Sequence, residues 1–170
     1  MDIRITVNAE EIGSSSFAAE YPSQEGAADT SFSFDATLVN NTLSEQSYSF
    51  SSNAPSGWQV SFKPSGETTK VASITVEPRK SQGIKIDVKP PENVKAGVYE
   101  INCTAASATE KMAADLSVTI TDTYELQLST PSGLLSLDAY ANKETAVQLT
   151  LSNLGNSDLA NVNLNATAPT

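Results

Sequence analysis

The side chains that most often perform catalysis are scarce in this chain of 170 residues. Histidine is absent, which removes the commonest general base and the commonest transition-metal ligand. Cys103 is the only cysteine, so the chain has no intramolecular disulfide and no imidazole to activate a thiol nucleophile. Serine hydrolysis lacks a Gly-x-Ser-x-Gly elbow as well as the histidine of a triad. The sequence predicts no catalytic, cofactor-binding or metal-binding residues, and no enzyme activity.

Carboxylates are the remaining candidates for chemistry. Glycoside hydrolysis needs two acids placed around one bond, and the carboxylates that come closest to this are scattered near predicted turns, where we expect them to be solvated: Glu10, Glu11, Glu67, Glu77 and Asp87. Asp115, Asp122 and Asp138 lie near a predicted module boundary, and carboxylate oxygens are the ligands that Ca²⁺ takes. No dense Asp-x-Asp-x-Asn run accompanies them, and the sequence leaves calcium binding at the junction undecided.

The charge of the chain excludes two classes of partner. Twenty acidic residues against ten basic ones give a net charge of −10 and a pI near 4.3. Such a surface repels the phosphates of nucleic acid and of anionic membranes, which clustered Lys and Arg would have to neutralise. No apolar run approaches the ~20 residues that span a bilayer. We expect no nucleic-acid partner and no direct membrane insertion by this segment, and we attribute the acidity to solubility.

The chain consists mainly of short segments in which apolar and polar residues alternate, and these segments predict its secondary structure. Apolar residues recur at every second position in several runs separated by Gly, Pro and Asn clusters, whereas no segment has helical periodicity. This texture predicts an all-β, immunoglobulin-like β-sandwich of roughly seven strands. Residues 3–7 are predicted to form a strand directly after Met1, and residues 10–30 a loop or irregular edge.

The shared parity of the apolar residues predicts one core between two sheets. Trp58 is expected in that core rather than stacked on a sugar. Tyr99 has the position of a tyrosine corner, whose hydroxyl bonds to nearby backbone. Cys103 shares a face with Ile101 and is expected to pack as a small hydrophobe. The predicted core consists of Trp58, Val60, Phe62, Ile84, Ile86, Val88, Tyr99, Ile101, Leu116 and Val118.

An internal repeat divides the chain. Residues 36–41 (ATLVNN) resemble residues 149–154 (LTLSNL), and each is followed by a polar turn, an alternating strand and an Ala-Pro pair. The offset of 113 to 114 residues fits the length of a sandwich module. We therefore predict a complete module over 1–122 and the N-terminal part of a second over 123–170. Its first three strands are predicted at 124–129, 144–152 and 160–167.

Three stretches give the chain a resemblance to a known family. Residues 55–64 (PSGWQVSFKP) resemble the Pro-x-Gly-Trp-x-Val-x-Phe-x-Pro stretch of the NEW3 family, the alpha-galactosidase-associated immunoglobulin-like domain of bacteria. Residues 89–99 (KPPENVKAGVY) resemble its Pro-Pro turn leading into Gly-x-Tyr, and residues 151–155 (LSNLG) its Asn-x-Gly turn. The resemblance covers about 32–169, and the preceding residues depart from it.

The resemblance implies a non-catalytic, extracytoplasmic module of a bacterial surface or membrane-anchored protein, present in tandem copies and acting as a spacer or as a protein-interaction or adhesion domain. It favours a protein from which a signal segment before Met1 has been removed. The alternative is an accessory carbohydrate-binding module of a glycoside hydrolase. A protein or a cell-surface glycan would be the partner. The uncovered apolar face expected for residues 124–170 would complete itself by strand pairing in a homodimer or by packing on the first module.

Overall fold

The computed structural model describes residues 13–134, 136, 138 and 140–167, so the strand predicted at 3–7 and the carboxylates Glu10 and Glu11 lie outside the described residues. No helix in these ranges is long and apolar enough to cross a membrane. The strands are β1 (Ser16–Ala19), β2 (Ser23–Gly26), β3 (Phe32–Asn40), β4 (Gln46–Asn53), β5 (Gln59–Pro64), β6 (Ser73–Val76), β7 (Lys80–Lys89), β8 (Gly97–Ala106), β9 (Lys111–Ile120), β10 (Leu126–Ser129) and β11 (Thr150–Asn153).

The first nine strands form two facing sheets. One sheet has the order β1-β3-β7-β5 and the other has the order β2-β9-β8-β4-β6. All neighbours are antiparallel except β2 and β9, which run parallel. The all-β, immunoglobulin-like sandwich predicted from the alternating runs is thus confirmed, although residues 13–122 alone contain nine strands rather than the roughly seven predicted.

The interpretation of residues 10–30 as a loop or irregular edge is wrong for two four-residue segments. Strand β1 pairs with β3, and after the bend at Tyr21 the chain crosses to the other sheet, where β2 pairs with β9. The Pro22 carbonyl accepts from the Ser117 N–H at 2.8 Å as this second pairing begins. Both strands lie at sheet edges and bury few side chains, so the sequence carries almost no alternation there.

The core lies where the predicted parity placed it. Seven of the ten predicted core residues are buried, and the other three, Trp58, Val60 and Tyr99, are partly buried against them. Strand β3 alternates, with Phe32, Phe34, Ala36 and Leu38 inward and Ser33, Asp35, Thr37 and the partly buried Val39 outward. Each fully buried large aliphatic or aromatic side chain stabilises the fold by about 1.5–3 kcal/mol, which fixes the register of β3 against β7.

The second segment contains one hairpin, in which β10 and β11 pair antiparallel. The strand predicted at 124–129 is present over residues 126–129. The one predicted at 144–152 is confined to β11, and residues 160–167 form no strand. Alternation alone overestimated the strand content here, because a strand needs a hydrogen-bonding neighbour and neither region has one among the described residues.

Candidate interaction surfaces

The turn before β5 places Trp58 at the rim of the first sandwich. The Trp58 N–H donates to the Pro55 carbonyl at 3.2 Å, and Gly57 between them has a φ of 87°. This left-handed conformation is strained for residues with a Cβ but not for glycine. A Cβ at Gly57 would also lie 3.3 Å from Pro91. The Pro-Ser-Gly-Trp run is therefore explained by backbone geometry.

Trp58 and Tyr99 pack together between that turn and the start of β8. Their ring centroids are 4.8 Å apart with the ring planes tilted by 44°. The Tyr99 hydroxyl donates to the Lys95 carbonyl at 2.9 Å, so the predicted tyrosine corner is confirmed. Trp58 is half-buried against the core rather than enclosed by it, which leaves part of the indole at the surface.

A groove of about 840 Å³ runs beside the half-buried indole. It offers one tryptophan together with hydrogen-bonding and cationic groups, a combination that suits a polar ligand with one apolar face. Its polar lining consists of Ser31, Ser33, Ser52, Gln59, Ser61, Lys63, Lys70, Asp87 and Lys89.

Ion pairs order the outer face of the sheet next to this groove. Asp87 forms a salt bridge with Lys63 and accepts a hydrogen bond from the Ser33 hydroxyl at 2.9 Å. Partial burial alone would raise the pKa of Asp87, but the hydrogen bonds from Lys63 and Ser33 and the charges of Lys63 and Lys85 hold that pKa below its usual value. Asp87 lies within β7 as a structural ion-pair partner, and its expected position as a solvated turn residue is corrected.

The other acidic residues form no cluster of three that could hold a metal ion among the described residues. Glu67 and Glu77 lie exposed in turns. Asp115 accepts from Asn102, and Asp122 accepts from Ser157. Asp115 and Asp122 therefore have separate neighbours, and Asp138, the third acid considered for calcium, is exposed.

Cys103 lies in the core, as the sequence predicted. It is fully buried on β8 opposite Ala114 of β9. Burial, with a smaller contribution from the charge of Asp115, raises the pKa of the thiol to about 12. The thiolate that a nucleophile or a metal site requires is therefore disfavoured in the folded state.

Asn40 is a residue that the sequence marked only as part of a turn. It is fully buried at the end of β3. Its amide nitrogen donates to the carbonyls of Ser44 at 2.9 Å, Val76 at 2.8 Å and Glu77 at 3.1 Å. Its amide oxygen accepts from the Thr42 N–H at 3.0 Å. One side chain thus closes its own turn and ties β3 to the β6–β7 connection, because every polar atom of a buried amide needs a partner.

Asn153, at the end of β11, repeats this local geometry 113 positions later. Its amide nitrogen donates to the Ser157 carbonyl at 2.8 Å, four residues on, as Asn40 does to Ser44. Its amide oxygen accepts from the Gly155 N–H at 3.0 Å, two residues on, as Asn40 does from Thr42. The two halves of the sequence repeat therefore have the same strand-to-turn structure.

The hairpin also repeats the pairing of the first module while leaving its apolar face open. Leu128 lies opposite Leu151 as Phe17 lies opposite Leu38. Phe17 and Leu38 are 4% and 0% exposed, whereas Leu128 and Leu151 are 48% and 39% exposed. An open cavity of about 400 Å³ lies over this face, with Leu128, Leu134, Val147 and Leu149 in its lining. We call these side chains, with Leu151, the open face.

Part of the first module matches the model of a known protein family. Residues 28–108 match the model described as the NPCBM-associated, NEW3 domain of alpha-galactosidase. This match supports the resemblance drawn from the Pro-Ser-Gly-Trp and Pro-Pro stretches, both of which it contains. It ends within the β8–β9 connection and does not reach the second segment. No curated protein matches this chain in sequence.

Several solved structures are similar to part of the chain. A family 123 glycoside hydrolase from Clostridium perfringens shares 14% identity over 58% of this chain, with a TM-score of 0.48, and the match spans 22% of the hydrolase chain. A FixG-related protein from Vibrio parahaemolyticus shares 11% identity over 55% of this chain and 81% of its own, with a TM-score of 0.45. Alpha-2-macroglobulin of E. coli shares 14% identity over 68% of this chain and 8% of its own, with a TM-score of 0.43.

Proposed function

We propose that this chain is a non-catalytic NEW3-type module, followed by the start of a second one, in the extracytoplasmic part of a bacterial surface or membrane-anchored protein. It acts there as a spacer or as a protein-interaction or adhesion domain. The observation that carries this proposal is the match of residues 28–108 to the NEW3 model, which falls on a closed sandwich. Protease treatment of intact cells tests the location, with an antibody against the first module as the readout. Cleavage without lysis is expected, and protection until the inner membrane is broken would contradict it.

The non-catalytic part of the proposal rests on the side chains themselves. Asp87 is ion-paired, Cys103 is buried with a raised pKa, and no three acidic side chains among the described residues are close enough together to hold a metal ion. We expect no turnover of glycoside or ester substrates. Turnover that disappears when a single Glu or Asp is replaced would overturn this part and leave the proposed location untouched.

The second copy is supported by equivalent geometry rather than by the family match. Asn40 and Asn153 make the same two local hydrogen bonds, and the Phe17–Leu38 and Leu128–Leu151 pairs occupy the same place in the β1–β3 and β10–β11 pairings. These features support the proposal that residues 123–170 begin a module that repeats the first.

The open face supports a homodimer formed through residues 124–170. Burying several of its Leu and Val side chains is worth about 1.5–3 kcal/mol each. Among the described residues, β11 also has no strand on the edge where β3 has β7. Light scattering is expected to give a dimer for this chain and a monomer for a chain ending at Asp122, with Leu128→Asp also monomeric. If the full chain is monomeric and its hairpin amides exchange freely, the dimer is ruled out.

A second candidate function, an accessory carbohydrate-binding module, is favoured by one observation: the groove beside Trp58 combines an indole with polar groups. Because Trp58 is the only tryptophan, its fluorescence reports on this groove alone. Titration with soluble polysaccharides would give a saturable change if sugar binds there, and Lys70→Ala would weaken it. A flat response over a broad panel would favour the spacer function.

A further inference from the structure

The backbone of the segment between the two modules is hydrogen-bonded from its first residue onward. Strand β9 ends at Ile120, and the next residue, Thr121, is bonded on both sides. Its N–H donates to the Gly26 carbonyl of the first module at 2.9 Å. Its carbonyl accepts from the Asn156 side-chain amide of the second segment at 2.9 Å. A single residue is thus held by both modules at once.

The following residues are bonded to the same turn. The Thr123 N–H donates to the Asn156 side-chain oxygen at 2.7 Å, and the Asn156 N–H donates to the Thr123 carbonyl at 3.1 Å. The Ser157 hydroxyl donates to Asp122, and the Leu154 N–H donates to the Glu125 carbonyl at 2.8 Å. Flexible linkers leave their backbone groups to water, whereas this segment is paired almost residue by residue.

Gly155 permits this close approach. A Cβ on Gly155 would lie 2.2 Å from the Thr123 carbonyl oxygen and 3.0 Å from the Glu125 nitrogen. These are backbone atoms, which cannot rotate away as a side-chain end can. A larger residue at 155 would force the turn and the linker apart, so glycine is required here by proximity.

A direct contact between the modules lies beside the linker. Lys95, in the loop before β8, forms a salt bridge with Asp158 at 3.2 Å. Both side chains are largely exposed, so the pair contributes little energy, but it fixes the side on which the turn meets the first module. The Lys95 carbonyl is also the acceptor of the Tyr99 hydroxyl, which anchors this loop to the core.

We propose that residues 121–125 and 153–158, with Lys95, form a rigid joint that holds successive modules at a fixed angle. The joint uses Asn156 as a clamp between the last strand of one module and the first hairpin of the next. This goes beyond the proposed function, because a spacer built from such joints is a stiff rod of defined length and direction, whereas modules on free linkers form a coil.

Distances between spin labels across the joint test this inference. The positions of Ser49 on β4 and Gln127 on β10 are exposed and accept introduced cysteines for labelling, whereas the natural Cys103 is fully buried. A label pair at Ser49 and Thr37, both within the first module, serves as the standard: it gives the width of the distance distribution that is expected within one rigid body. We expect the cross-joint distribution to be as narrow as this standard. The labelled protein is diluted into an excess of unlabelled natural protein, so that only distances within one chain are measured. A cross-joint distribution clearly broader than the standard would then overturn the rigid joint.

Substitutions test whether the Asn156 side chain is what makes the joint rigid. Asn156→Ala is expected to abolish the narrow distribution and to lower the exchange protection of the Thr123 N–H by about tenfold, the loss of roughly one hydrogen bond. Asn163→Ala, an exposed asparagine outside the joint, is the matched control and leaves both unchanged. Gly155→Ala is expected to shift the mean distance. If Asn156→Ala keeps the narrow distribution and full protection of Thr123, the clamp is refuted.

Discussion

The hydroxyl of Tyr99 donates to the backbone carbonyl of Lys95 at 2.9 Å and so ties the start of β8 to the loop that precedes it. The same loop meets the second segment through the Lys95 side chain. Tyr48 on β4 offers a contrast, because its hydroxyl is fully buried and has no hydrogen-bond partner among the described residues. The two phenols are therefore expected to contribute to stability with opposite signs.

Removing each hydroxyl in turn tests that expectation. Tyr99→Phe should lower the free energy of unfolding by about 0.5–1.5 kcal/mol, the worth of one intramolecular hydrogen bond. Tyr48→Phe removes a buried hydroxyl that has no partner, so it should be neutral or stabilising. Urea unfolding of both variants provides the measurement. No loss for Tyr99→Phe would mean that the tyrosine corner does not stabilise this loop, and a clear loss for Tyr48→Phe would contradict an unpartnered hydroxyl.

Asn40 and Asn153 share their local bonds but not their burial, so their replacement should separate the two effects. Asn40→Ala leaves buried carbonyls of the β6–β7 connection without donors and should destabilise the first module by about 2–3 kcal/mol. Asn153→Ala removes exposed bonds only and should leave the unfolding of that module unchanged. Its effect should be confined to faster amide exchange at Gly155. Equal destabilisation by the two variants would contradict this assignment.

Asp87 makes the stability of the first module depend on pH in acid. Because its pKa is lowered on folding from the ordinary 3.8, its ion pair stabilises the fold above that pH and is lost as the pH falls through the folded-state pKa. Asp87→Asn should therefore cost stability at neutral pH, by less than about 1 kcal/mol for a partly exposed pair. The difference from the natural protein should shrink below pH 3.8. Asp29→Asn, at an exposed position, controls for net charge and should show no such trend.

We expect Cys103 to react with thiol reagents only after the first module unfolds. Its burial and its raised pKa leave neither access nor thiolate in the native state. Reaction with a disulfide reagent is expected only at the rate of unfolding, and denaturant should accelerate it. Ser51→Cys, exposed on β4, provides a second thiol that reacts at once. Rapid modification of Cys103 in the native protein would contradict its place in the core.

The sequence alone was enough where the role of a residue depends only on its near neighbours in the chain. Alternation in β7 and β9 predicted their inward faces because a strand has a period of two residues. Gly57 and Tyr99 carried signals that depend on a few neighbours: a left-handed turn and a hydroxyl that reaches back four residues. The sequence by itself determined the all-β class, most of the core and the burial of Cys103.

Only the tertiary structure decided the features that join distant segments. The role of Asn40 depends on the carbonyls of Val76 and Glu77, and the ion pair of Asp87 depends on Lys63 across a sheet. Strands β1 and β2 bury too little to be visible in the pattern, and the partner strands alone define them. Leu128 and Leu151 have the same alternation as buried residues, yet they remain exposed, because periodicity specifies which side chains share a face and not whether another sheet covers it.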